Sequence, residues 1–150
     1  MSIPQKWIIG SIIGICLGII ACAESINASV PLPDKPGQMA FVMLAPEDNF
    51  SENVSICRIE PNKLNLRELA RTKVAELEAV PGSTVKMISS TRAVWETSTM
   101  PHLRFIQVFV RDAKARDWML TLTLRKDGDP AAGMKLLEQV VKGLQPEEKK

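Results

Sequence analysis

Trp118-Met119-Leu120-Thr121-Leu122-Thr123-Leu124-Arg125 decides the fold class. Large apolar side chains at 118, 120, 122 and 124 alternate with Met119, Thr121, Thr123 and Arg125, which is the period of a β-strand with one buried face. A register slip of one residue would turn all four large groups to water, so the pairing is strongly specified. The preceding segment, Arg104 to Arg111, is apolar on both faces, with Phe105 and Phe109 opposite Ile106, Val108 and Val110. It reads as a central strand covered on both sides, or as part of a sheet that packs a partner.

Working outward, a strand is expected from Thr84 to about Glu96, with Ser98 to Leu103 turning into the next. Ala40 to Ala45 ends at Pro46 and Asn53 to Glu60 ends at Pro61; the connector from Glu47 to Glu52 makes these two an antiparallel pair. Between the sheet halves lies a well-marked helix. Asn65 can cap it, Glu68 completes a capping box, and Leu64 with Leu69 has the spacing of a hydrophobic staple. Leu66, Leu69, Ala70, Val74 and Leu77 form its apolar face, and Pro81-Gly82 ends it. Asp129-Pro130 opens a second helix, with proline in the first turn. Its stripe of Leu136, Leu137, Val140, Val141 and Leu144 must pack on the sheet, and Gln145-Pro146 stops it. Strands, helix, three strands and helix, without regular alternation, predict an α+β domain in which a mainly antiparallel sheet carries two amphipathic helices.

The N-terminus sets location. Lys6, the apolar run from Trp7 to Ala21 and the small residues Ala21-Cys22-Ala23 read as an export leader. Ile19-Ile20-Ala21-Cys22 fits a bacterial lipobox with Cys22 as the lipidated new terminus. Ala21-Cys22-Ala23 also fits ordinary cleavage after Ala23. The polar, Pro-containing stretch that follows favours the lipid, since an anchored domain needs a tether. An uncleaved spanning helix is disfavoured because the run falls short of the roughly 20 residues required. The expected organisation is a leader at 1–22, a Pro-rich tether at 23–37 with an edge strand over Ser29 to Leu32, one domain at 38–146 and a tail at 147–150.

The chain carries 19 Lys+Arg against 17 Asp+Glu, and Lys6 is the only charge in the leader. A nearly neutral domain offers no electrostatic basis for nucleic-acid binding. Cys16 leaves with the leader and Cys22 is lipidated or lost, so Cys57 is alone and reads as an inert strand thiol. The Asn-x-Ser triplets at Asn27, Asn49 and Asn53 would matter only on a eukaryotic secretory route.

Catalytic signatures are weak. His102 is the sole histidine, so a His-His metal site is impossible. No Gly-x-Ser-x-Gly turn exposes a serine for it, and Pro81-Gly82-Ser83-Thr84 lacks the rest of a phosphate loop. The expectation is therefore a protein without catalytic residues, metal or cofactor. Candidate interaction residues are Trp95, a natural interface anchor if exposed, and the basic turn of Arg111, Lys114 and Arg116, suited to anionic headgroups. Asp112 and Asp117 interrupt that turn, and the ordinary reading of such a tip is solubility and edge protection.

Val30-Pro31-Leu32-Pro33-Asp34, Ala40-Phe41-Val42, Asn49 to Val54, the helix opening Leu64 to Leu69 and the strand Trp118 to Leu124 before a closing helix resemble the LpqN-type lipoproteins of mycobacteria and the wider DcrB, PsbP and Mog1-like group. The resemblance implies an α/β/α-like sandwich, extracytoplasmic placement and binding or assembly roles, and it carries over no functional residue except Cys22. The expected function is a non-enzymatic envelope lipoprotein that meets a membrane through its anchor and binds an envelope protein through a sheet edge or loop tips. The alternative is a carrier for a lipid or other apolar ligand held between sheet and helices, suggested by the doubly apolar strand and by Met87, Met100, Met119 and Met134.

Overall fold

A computed structural model describes the backbone of residues 6–11 and 19–22, and residues 32–145 with side chains. The body of the molecule is a six-stranded antiparallel sheet with two helices: β3 (Met39–Met43), β4 (Asn53–Arg58), α1 (Leu66–Glu78), β5 (Ser83–Ser89), β6 (Arg92–Thr97), β7 (Leu103–Arg111), β8 (Asp117–Arg125) and α2 (Ala131–Leu144). In space the strands run β3-β4-β8-β7-β6-β5, so β7 and β8 are central. Two further strands, β1 (Lys6–Ser11) and β2 (Ile19–Cys22), continue the order beyond β3. The rest of the expected leader, the Ser29 to Leu32 edge strand apart from Leu32, and the 147–150 tail lie outside the described residues.

The alternation in β8 sets up the main core. Trp118, Leu120, Leu122 and Leu124 are at most 2 % exposed, and the register places them beside Val54 and Ile56 of β4 and Ile106, Val108 and Val110 of β7. The α2 stripe of Leu136, Leu137, Val140, Val141 and Leu144 closes over this face. Gly133 brings α2 against β8, because an added Cβ would lie 2.5 Å from Leu124 Cδ2 and 2.7 Å from Glu52 Oε2.

On the opposite face, Ala70 and Val74 of α1 pack on Ala93 and Phe109, with Val85, Met87 and Met119 around them. The molecule is thus layered helix, sheet, helix, as an α+β domain should be when its central strand is apolar on both sides. Among the described residues both clusters draw only on Leu32 and later positions, so a chain begun at Ala23 keeps all of this core.

The capping box at α1 forms as expected: Glu68 N–H donates to Asn65 Oδ1 at 2.9 Å and Asn65 N–H to Glu68 Oε2 at 3.1 Å. The β3–β4 connector is centred on a two-residue hairpin turn in which Asp48 and Asn49 both take positive φ, a conformation these residues tolerate. Two expectations are corrected. The segment Thr84 to Glu96 is not one strand but the hairpin β5–β6, because Thr91 N–H donates to Ser89 Oγ and a bulge lies between Met87 and Ser89. Pro130 is the cap of α2 rather than part of its first turn, and Asp129 Oδ1 accepts from Ala131 N–H at 3.0 Å.

Candidate functional site: a pocket beneath the first helix

Helix α1 covers only part of its sheet face. It crosses toward β5 and β7, and its small contact residue Ala70 lets it sit close there. Toward β4 and β8 the layers separate, leaving a pocket of about 480 Å³. Cys57, Gln107 and Met119 contribute from β4, β7 and β8, Ile59 follows β4, and Leu77 and Val80 come from the end of α1 and the residues after it. The register explains the grouping: Cys57 pairs with Met119 and Gln107 with Thr121, so Cys57, Met119 and Gln107 share the α1 face.

Gln107 is the polar element of this pocket. It is 5 % exposed, and its Oε1 is buried without a hydrogen-bond partner. Across the ladder it faces Ala93 on one side and Thr121 on the other, neither of them bulky. A buried acceptor of this kind costs about 1–3 kcal/mol when left unmet. The half-buried Cys57 thiol donates weakly to the Arg58 carbonyl at 3.7 Å. Burial pushes its pKa up, against a smaller downward pull from Lys73, so the neutral thiol is favoured. At the rim stand Arg58 and Lys73, Glu60 and Glu76, two charges of each sign; Lys73 and Glu76 pair at 3.1 Å.

A second, larger cleft of about 630 Å³ lies between the β3–β4 connector and the start of α2. Arg125, which lines it, is already engaged. Arg125 donates to the carbonyls of Glu47 and Asp48 at 3.1 and 2.8 Å and sits 5.4 Å from the Phe50 ring. Glu52 is held by the Gly133 amide, yet burial first, then Asp129 and Glu47, raises its pKa.

The interaction candidates from the sequence are dispersed and largely committed. Trp95 is half-buried and stacks on Phe105 with centroids 4.0 Å apart; its indole N–H is buried without a partner. Arg111 donates to both oxygens of Asp117 at 2.7 and 3.0 Å and to the Leu64 carbonyl, tying the approach to α1 onto the sheet. Arg116 pairs with Asp112 at 2.7 Å and lies over Trp118. Lys114 is exposed. Cys22 ends β2, and its side chain lies outside the described residues. His102 is exposed in the β6–β7 turn, and among the described residues its ring makes no hydrogen bond.

Of the four methionines expected to line a cavity, Met119 does. Met134 packs on the main core, Met87 on the α1 cluster, and Met100 is exposed in a turn. Sequence reading passed over Gln107, although it is the one polar residue in Phe105-Ile106-Gln107-Val108-Phe109-Val110 and that break was the available signal. No known protein-family model, curated protein or solved structure matches this chain.

Proposed function

We propose that this protein is a non-enzymatic binding module of the bacterial cell envelope, exported, lipid-anchored through Cys22, and built to hold a small apolar ligand between α1 and the sheet. The pocket beneath α1 carries this reading: its volume falls within the ordinary range of ligand sites, and its walls are Cys57, Ile59, Leu77 and Met119. The LpqN-like order of motifs suits a binding role on an extracytoplasmic tether. A protein-binding or assembly role is the second reading; it draws on β5, the edge strand of the sheet among the described residues, where Ile88 is 52 % exposed.

Titration of the chain begun at Ala23 with diphenylhexatriene, a hydrocarbon that fluoresces when removed from water, tests the first reading. Saturable binding of one probe per chain, lost when Met119→Trp fills the pocket, is the expected result. Absence of saturable binding would turn the argument toward the protein-binding role.

A further inference from the structure

The pocket would serve any hydrocarbon if its walls were wholly apolar, and Gln107 makes it selective. Resting on the apolar-ligand reading above, we propose that the ligand is a neutral, mostly apolar small molecule bearing one hydrogen-bond donor, and that Gln107 is the residue that selects it. Three observations converge. Gln107 Oε1 is buried and unpartnered, and Gln107 is one of the residues that line the pocket. The volume of about 480 Å³ lies within the ordinary range of small-molecule sites, room for a two- or three-ring molecule. The rim balances Arg58 and Lys73 against Glu60 and Glu76, so it gives no field that would draw a carboxylate or an ammonium group.

The selection follows from desolvation. An apolar ligand leaves Oε1 unmet, as it is in the free protein, whereas a ligand whose N–H or O–H reaches it makes the missing bond. A site with a buried acceptor therefore discriminates against the analogue that lacks the donor. Hydrogen-bond acceptance leaves the ligand chemically unchanged, and the proposal needs no covalent step at Cys57.

The test pairs two probes of similar size on the chain begun at Ala23: diphenylhexatriene, which has no polar atom, and N-phenylnaphthylamine, which has one N–H. Gln107→Leu should weaken the amine about tenfold while the hydrocarbon stays within about twofold. Gln107→Met, which keeps the side-chain length, should do the same and serves if the leucine variant fails to show a cooperative melt. Equal amine affinity in wild type and variant, with the hydrocarbon bound in the pocket, would overturn the selecting role of Gln107 alone. Failure of wild type to bind the hydrocarbon would instead overturn the apolar-ligand reading on which it rests.

Discussion

Removal of the Asp112 carboxylate should be among the most damaging single changes in this domain. One oxygen accepts from the backbone N–H groups of Lys114 and Arg116 at 2.9 and 3.0 Å. The other accepts from Arg116 Nε at 2.7 Å and from Trp118 Nε1 at 3.0 Å. Trp118 is fully buried, so its indole N–H has no route to water once the carboxylate is gone, and that loss alone is about 2 kcal/mol. The two amides are partly reachable by solvent and add a fraction each. The Arg116 pair adds little, because that side chain is 32 % exposed. The turn also holds Ala115 at φ 57°, a conformation that alanine adopts only under constraint.

Asp112→Ala should therefore cost about 3 kcal/mol, and Asp112→Asn about half, since an amide can satisfy only one of the two donor sets. In urea, with a slope near 1.5 kcal/mol/M, the alanine variant should unfold about 2 M earlier. The pH dependence has a definite sign. Burial pushes the carboxyl upward, but the bonds from Trp118, Arg116 and Lys114 outweigh it and the pKa is lowered. A depressed carboxylate contributes stability above its unfolded pKa, near 4, and loses it as pH falls through the folded value. Asp112→Asn should accordingly flatten the acid limb of the stability curve. A loss under 1 kcal/mol for the alanine variant, or an unchanged acid limb for asparagine, would refute the assignment of this carboxylate as the keystone of the turn.

Glu52 works with the opposite sign: its raised pKa means that ionisation opposes folding as pH rises through the carboxylate range. Glu52→Gln should raise the melting temperature at pH 7 by an amount that shrinks toward zero at pH 4; a pH-independent change would show that charge is not the cause. Gly133→Ala gains about 1 kcal/mol of helix propensity but drives a methyl group into Leu124 and Glu52, so a net loss of about 1 kcal/mol is expected by denaturant titration. Gln107→Leu should stabilise the unliganded domain by about 1 kcal/mol in the same assay, since it removes an unmet buried acceptor. Cys22→Ser should release the protein in soluble form or leave its leader uncut, because serine cannot take the thioether; mass spectrometry finding an unmodified wild-type terminus at Glu24 would end the lipid-anchor proposal.

The fold was legible where one physical signal had no competitor. The two-residue period of Trp118 to Leu124 fixed which face of β8 is buried, and the Asn65–Glu68 box fixed the start of α1. The β5–β6 hairpin was hidden because Ser89-Ser90-Thr91 carries no glycine or proline, and its turn depends on one hydroxyl accepting a backbone N–H. The pocket was less legible still. Its parts come from three strands and the end of a helix, so the grouping of Cys57, Gln107 and Met119 exists only once the register is known. The pairings within the basic turn were equally hidden: Arg111 and Arg116 look available in sequence, but strand pairing delivers Asp117 and a bent turn delivers Asp112 to them.

Cys57 offers the most direct test of whether the space beneath α1 is a binding site, because in the chain begun at Ala23 it is the only thiol and it lines that space. Iodoacetamide should alkylate the half-buried thiol slowly in the free protein. Saturation with diphenylhexatriene should slow that rate at least about tenfold by occluding the sulfur. An unchanged alkylation rate with one probe bound per chain would place the probe elsewhere and contradict the account.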